Sequence, residues 1–364
     1  MSGIYGMNIK MSIYGESHGA SIGLVIDGLP PGLALDLAAI EAEMARRAPG
    51  KNQLSTQRKE SDSFAIQSGF FNGYTTGTPL CAMIKNSDQH SKDYSILKDK
   101  MRPGHGDYPG YVRYQGYNDY RGGGHFSGRL TVPLVFMGAV AKQALSQYGI
   151  TVGAHILSIG DIKEEGFNPL GIDDKIISEL QRREFAVMDE AAGAQMQQKI
   201  LAAKSELNSV GGVIETIVQH VPAGLGAPYF DSLESRLSHG LFSVPAVKAV
   251  EFGDGFALSG MTGAEANDQL HYAGGRVQAL TNHNGGVTGG ITNGMPVIFR
   301  VGIKPTPSIA RSQHTVDVAA RQNTELVITG RHDPCIVQRA VPVIEAVTAW
   351  TVWDLLLEAK KWER

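Results

Sequence analysis

Cysteine is nearly absent. Only Cys81 and Cys335 occur in 364 residues, too few and too far apart for a disulfide scaffold or a cysteine zinc site. The simplest setting is a reducing one, and a cytoplasmic location is expected. No run of about 18 apolar residues marks a membrane span. The opening residues, MSGIYGMNIKMSIYGESHG, lack the apolar stretch of a secretory signal. An excess of charge is missing too: 33 Lys and Arg face 36 Asp and Glu, a net −3. That excludes a general attraction to nucleic acid or to an anionic membrane surface. The histidines show neither the helical spacing nor the cysteine partners of a metal site, so no metal is expected. With no low-complexity linker and no internal repeat, the expectation is one domain over residues 1–364. At that length, with 42 % hydrophobic and 19 % charged residues, the chain can bury a large core.

Glycine, by contrast, is abundant at 44 residues, and it gathers in motifs. The densest is residues 102–129, RPGHGDYPGYVRYQGYNDYRGGGHFSGR, with four arginines, two histidines and five tyrosines among its glycines. Glycine lets a backbone approach a ligand closely. Arginine grips phosphate or carboxylate, and histidine moves protons near neutral pH. The stretch reads as a binding loop for a phosphorylated, planar ligand, running into a helix that starts near Ser127. A plain surface loop rich in turn residues fits the composition about as well.

Hydrophobic periodicity predicts strands at 7–14, 22–26, 64–71, 79–84, 151–159, 212–220, 247–252 and 295–303. It predicts helices at 36–47 with Asp36 as N-cap, 131–148, 173–183, 188–207, 231–241 and 341–360. Strand runs separated by helix pairs point to an α+β fold with one large core.

Three short motifs repeat one theme, a histidine beside glycine or aspartate: Gly15-Glu16-Ser17-His18-Gly19, Gly104-His105-Gly106-Asp107 and Gly330-Arg331-His332-Asp333. Each alone reads as well as a hydrogen-bonded turn. Ser17 and His18 are not a nucleophile–base pair, because sequence neighbours rarely face one another. The run Arg121-Gly122-Gly123-Gly124 ahead of the 131–148 helix reads as an anion site at a helix N-terminus. It lacks the Gly-Lys-Ser/Thr ending of a Walker loop and the spacing of a dinucleotide fingerprint. Lys304-Pro305-Thr306-Pro307-Ser308 is a stiff polar loop suited to a phosphate or ring-polar contact.

Taken in order, these motifs resemble chorismate synthase. Gln57-Arg58-Lys59-Glu60, Val221-Pro222-Ala223-Gly224-Leu225-Gly226 and Glu251-Phe252-Gly253-Asp254-Gly255-Phe256 match as well. The resemblance runs from about residue 7 to residue 358. It implies a β–α–β sandwich, with helices packed between antiparallel sheets, assembled as a homotetramer. It implies an anti 1,4-elimination of phosphate from 5-enolpyruvylshikimate 3-phosphate, with reduced FMN as cofactor. By resemblance, His18 would aid departure of the phosphate and His105 would set flavin protonation. Asp333 would lie near the reactive flavin nitrogen, assisted by Ser17 and Ser127. Arg47, Arg58, Lys59, Arg102, Arg129 and Arg331 would grip the substrate's anionic groups. His125, Phe126, Ser127, Pro245, Ala246, Gly289, Lys304, Pro305, Thr306, Pro307, Ser308 and Arg331 would touch FMN. The chain lacks the insertions of the fungal bifunctional type, so it resembles the monofunctional bacterial type, which needs an external flavin reductant.

The sequence departs from the family at one place above all. The usual Arg-Ser-Ser-Ala-Arg-Glu-Thr is here His125-Phe126-Ser127-Gly128-Arg129-Leu130-Thr131. Asn-Ala has become Pro245-Ala246, and Gln53 stands where a basic residue is usual. Each lost charge-assisted contact weakens binding by about 1.5–3 kcal/mol, which Phe126 would partly recover by stacking on the flavin. The departure leaves a second reading open, a non-catalytic paralogue that binds flavin or a shikimate-type phosphate.

Overall fold

The computed structural model describes residues 3–50, 54, 62–86, 96–328 and 332–361. Its helices are α1 (Leu37–Arg47), α2 (Asp107–Arg113), α3 (Thr131–Ser146), α4 (Asp174–Arg182), α5 (Glu190–Ser205), α6 (Leu233–Leu241), the single turn α7 (Gly263–Ala266) and α8 (Val337–Lys360). Two five-stranded antiparallel sheets enclose the main helices. The first runs Ile4–Tyr5, Lys10–Gly15, Ser21–Asp27, Leu80–Lys85, Phe64–Ser68. The second runs Val247–Phe252, Val297–Ile303, Gly212–Gln219, Thr151–Ile159, Ile162–Lys163. The fold is α+β, as expected.

Sequence pattern explains the layering. In Ser21–Asp27 the alternate residues Ile22, Leu24 and Ile26 are fully buried, the period of a strand facing helices on one side. Thr151–Ile159 is buried at every position but the first. It lies between α8 and the pair α4 and α5, so both of its faces are covered. Helices α3 and α8 form the middle layer and pack on each other. Their approach is set by Gly138, where a Cβ would lie 2.2 Å from the Ala346 Cα. Gly138→Leu is therefore expected to destabilise the chain by about 1–3 kcal/mol or more, through overpacking. Urea unfolding checks this: an unchanged midpoint would mean the layer is loosely packed.

By length and apolarity α8 passes for a membrane span, yet 94 % of its most apolar window is buried inside the fold. It carries two buried acids, each fully employed. Asp354 accepts the backbone N–H groups of Met7 (2.9 Å), Asn8 (2.7 Å) and Ile9 (2.9 Å), tying down the N-terminal strand. Glu345, fully buried, accepts from Arg46 and Lys142, both at 2.5 Å.

The N-cap at Asp36 stands as read: its side chain accepts from Ala38 and Ala39. Three readings change. Residues 102–129 are not one loop, since they contain α2 and a 3-10 turn at Arg121–Phe126. α8 begins at Val337, a turn before the expected 341. The hairpin Gln313–Asp317 with Gln322–Leu326 was not anticipated, because its strands are mostly polar and half exposed.

Candidate active site

The turn Gly15–Gly19 joins two strands of the first sheet. It does not leave His18 open to solvent: Ser17 and His18 are 6 % and 5 % exposed. The cover is the glycine triplet. All three residues have positive φ, and Gly124 at φ 52, ψ −125 adopts a conformation reserved for glycine. A Cβ on Gly122 would lie 2.4 Å from His18 Cδ2 and 2.8 Å from Ser17 Oγ. One on Gly123 would lie 3.1 Å from His105 Cε1. The run thus acts as a thin spacer between the two histidines. It does not open α3 directly, because Ser127 and the turn Gly128–Leu130 intervene. The expected anion site at a helix N-terminus is therefore not built from this run.

His105 is held by the segment that carries it. Its Nδ1 lies 2.6 Å from Asp107 Oδ1, and Asp107 also receives Arg102 Nε at 2.7 Å and an Arg102 terminal nitrogen at 2.8 Å. Nδ1 also lies 3.1 Å from an Arg102 terminal nitrogen, but the nearer carboxylate favours the tautomer protonated at Nδ1, which leaves the Nε2 lone pair to accept. Burial lowers the His105 pKa, and the neighbouring Arg102 and Lys304 charges add to this against the opposing pull of Asp107. The imidazole is neutral at pH 7. Burial works against Asp107 ionising, but its bonds from Arg102 and His105 hold its pKa well below the usual carboxylate range.

Opposite lies a nest of guanidiniums. Arg47, 4 % exposed, donates to Thr131 Oγ1 (3.1 Å), Asp62 Oδ2 (3.1 Å) and the Gly128 carbonyl (2.8 Å). Arg129 pairs with the other oxygen of Asp62 and donates to Asn86 Oδ1 at 3.1 Å. Arg339 donates to Asp333 at 2.6 Å and to the Arg47 carbonyl at 3.2 Å. Three guanidiniums, Arg47, Arg129 and Arg339, thus gather around Asp62 and Asp333 on one side of the site. The N-terminus of α8, with no side-chain cap, adds its dipole nearby. Burial first, then Arg339 and Arg129, outweigh Asp62 and lower the Arg47 pKa to about 10. Such a cluster of buried cations suits an anionic ligand.

Between these groups is a cavity of about 630 Å³, within the 300–1,000 Å³ range usual for small-molecule sites. Its far wall is the 304–308 loop, pinned by Lys304 N–H to the Ala246 carbonyl (2.9 Å), by Lys304 Nζ to the Gly104 carbonyl, and by Arg102 to Ser308 Oγ (3.2 Å). Thr306 Oγ1 is buried with no partner among the described residues. Ala246 sits at φ +73, a conformation strained for a residue with a Cβ. Phe126 lays its ring on Gly106 and Gly110 of α2, where an added Cβ would come within 3.0 and 2.6 Å of it, and is 38 % exposed on the cavity.

The cavity wall brings together most of the residues singled out in the sequence. Arg47, Arg102, His105 and Arg129 line it, as do His125, Ser127, Asp333 and Pro245. Ser17 and His18 stand one glycine behind the wall, at Gly122. Pro305 belongs to the pinned loop but does not line the cavity, and Gly289 lies apart, in the turn between Val287–Thr288 and Ile291–Thr292. Arg58, Lys59, Arg331 and the altered Gln53 fall outside the described residues. His125 Nδ1 donates to the Gly15 carbonyl at 2.9 Å, so the substituted segment is anchored to the first sheet. Sequence reading missed Asp62 and Arg339. It quoted Asp107 within its motif but gave it no task; a carboxylate two residues after a glycine-flanked histidine was the available signal.

The sequence profile of the chorismate synthase family matches residues 9–357. The chain is 45 % identical over 358 residues to the chorismate synthase of Thermococcus gammatolerans, and 46 % identical over 358 residues to that of Pyrococcus abyssi. Each match covers 98 % of both chains. Identity to the Methanosarcina acetivorans enzyme is 43 % over 356 residues, covering 98 % of this chain and 96 % of that one. A crystal structure of a chorismate synthase superposes with a TM-score of 0.76 at 26 % identity, covering 97 % of this chain and 93 % of the other.

Proposed function

The chain belongs to the chorismate synthase family, and we propose how its cavity carries out that family's reaction, the 1,4-elimination of phosphate from 5-enolpyruvylshikimate 3-phosphate to give chorismate. It is a lyase of aromatic amino-acid biosynthesis. The observation that carries the site assignment is the cluster of Arg47, Arg129 and Arg339 facing His105, oriented by Asp107, across one cavity. The substrate brings a phosphate and two carboxylates. Arg47, Arg129 and Arg339 are placed to bind them, and fixed dipoles and charges of this kind hold a developing anion without reorganising.

The residues present fit FMN. Phe126 offers an aromatic face, the buried Thr306 hydroxyl lacks a bond that a ring-edge nitrogen or oxygen would make, and Lys304 and Arg102 supply cations around the same wall. Reduced FMN, when bound, lends electron density and takes up hydrogen with no net redox change. The chain's own groups orient and move protons. His105 holds Nε2 as an acceptor, with Asp107 fixing the tautomer. His18, with Ser17 beside it, stands behind Gly122 and is proposed to give a proton to the leaving phosphate once the glycine run shifts aside. Asp333, held by Arg339, and Ser127 position the opposite side. Ser308, Pro245 and Ala246 complete the flavin wall. Arg58, Lys59 and Arg331 are proposed to add to the substrate grip.

The wider setting is proposed on family grounds. Homotetramer formation is supported by aromatic side chains left at the surface, with Tyr229, Phe230, Phe256 and Tyr272 each more than 80 % exposed. An external reductant would supply reduced flavin in the cytoplasm.

Anaerobic incubation with chemically reduced FMN and 5-enolpyruvylshikimate 3-phosphate, followed by chorismate absorbance, is expected to show turnover. Tight flavin binding without turnover would favour the non-catalytic paralogue instead.

A further inference from the structure

A second cavity, of about 320 Å³, lies behind the active-site wall. It is lined by Arg46 at the end of α1, by Gln181, Arg182, Arg183 and Glu184 at the end of α4, and by Gln338 in the first turn of α8. Three of these are arginines and one is an acid. Arg46 is already satisfied by Glu43 and Glu345. Arg183 donates one nitrogen to the Val187 carbonyl at 2.7 Å and places another 3.8 Å from Glu190. The Arg182 side chain makes no hydrogen bond or ion pair among the described residues. Arg182 is therefore the cation of this wall left for a ligand.

The decisive residue is Gln338. It is 8 % exposed, and both Nε2 and Oε1 are buried without a hydrogen-bond partner among the described residues. An amide with both ends unpaired costs the desolvation of two polar atoms. Buried polar groups left so in one region of a structure ask what completes them. A ligand bonding both ends must accept from Nε2 and donate to Oε1. Its negative group is set by Arg182. The apolar part of the wall, Ala186, Val341 and Pro342, limits it to a small molecule.

We propose that this cavity binds a small oxyanion that also carries a hydrogen-bond donor, the chemistry shared by hydrogen phosphate and an α-amino acid. Its wall is the back of the active-site wall. Arg46 faces the second cavity and Arg47 the first; Gln338 faces the second and Arg339 the first. An occupant thus bears on the same helix ends that position two of the substrate's cations.

Isothermal titration of the full-length protein tests this with three probes: inorganic phosphate, glycine, and acetate as an anion lacking a donor at neutral pH. Phosphate or glycine is expected to show a binding phase weakened about tenfold or more in Arg182→Glu and in Gln338→Leu, the loss of one charge-assisted bond or of the amide pair. A phase sensitive for phosphate alone assigns phosphate, and one sensitive for glycine alone assigns an amino acid. Arg182 is on the surface, so its variant keeps the fold, and any phase from the first cavity should be unchanged in it. Isotherms that superimpose on wild type for both probes in Arg182→Glu overturn the site. So does acetate binding the same phase as tightly as phosphate and glycine.

Discussion

His105→Ala is expected to lower turnover by about 100-fold or more, the usual scale of a positioned acid–base group, while the protein stays folded. His18→Ala should cost a similar factor. An unchanged rate in either variant removes that histidine from the mechanism. Asp107 supplies the sharper test, because it acts through His105. Its carboxylate fixes Nδ1 as donor and opposes the fall in the His105 pKa. Asp107→Asn frees the tautomer, so turnover should drop. It also removes the interaction that raises the pKa, so His105 would stay neutral to still lower pH. The sign follows: if the neutral ring is the working form, wild-type activity fails on the acid side, below the ordinary histidine value of about 6.5. In Asp107→Asn that acid limb should move further down while the plateau falls. A merely structural role for Asp107 would lower the plateau and leave the limb where it was.

Much of this architecture was legible because it rests on local rules. Asp36 before an apolar-periodic run marked α1, and alternate apolar residues marked the strand at Ser21–Asp27. What could not be read were pairings made across the chain. Asp62 meets Arg47 and Arg129 from positions 15 and 67 residues away, and no spacing announces such a partner. Arg339 lay ahead of the helix expected at 341–360, and only the start of α8 at Val337 turns it toward the active site. The glycine triplet misled for a physical reason. Glycine serves ligand approach and chain-on-chain approach equally, and only coordinates show that His18 and His105 occupy the space its missing side chains leave. The altered segment 125–130 reads differently as well. Phe126 has a platform in Gly106 and Gly110, and His125 has a fixed bond to the Gly15 carbonyl. The substitution is built into the wall and does not leave a hole in it.

Glu345 carries the largest expected effect on stability. It sits fully buried in the middle of α8, accepting from Arg46, Lys142 and the backbone N–H of Ala154. Burial alone would raise its pKa, but Arg46 and Lys142 more than offset that and depress it. Glu345→Gln keeps the shape and removes the charge, leaving Arg46 and Lys142 to share Glu43 alone, and is expected to cost about 3–5 kcal/mol. Urea unfolding at pH 7 reads this as a lower midpoint. The depressed pKa fixes the pH dependence. The acid's contribution is complete above its unfolded value, near 4.3, and is lost as pH falls toward the lower folded value. The gap between wild type and variant should therefore narrow in acid, and a gap that widened would contradict the ion-pair account. Replacing Glu43, Arg46, Lys142 and Glu345 together by apolar residues of similar volume should restore most of the loss, since the desolvation cost of all four charges then disappears. If the quadruple variant were no more stable than Glu345→Gln, the network would be holding α1, α3 and α8 in register and not merely balancing its own charges.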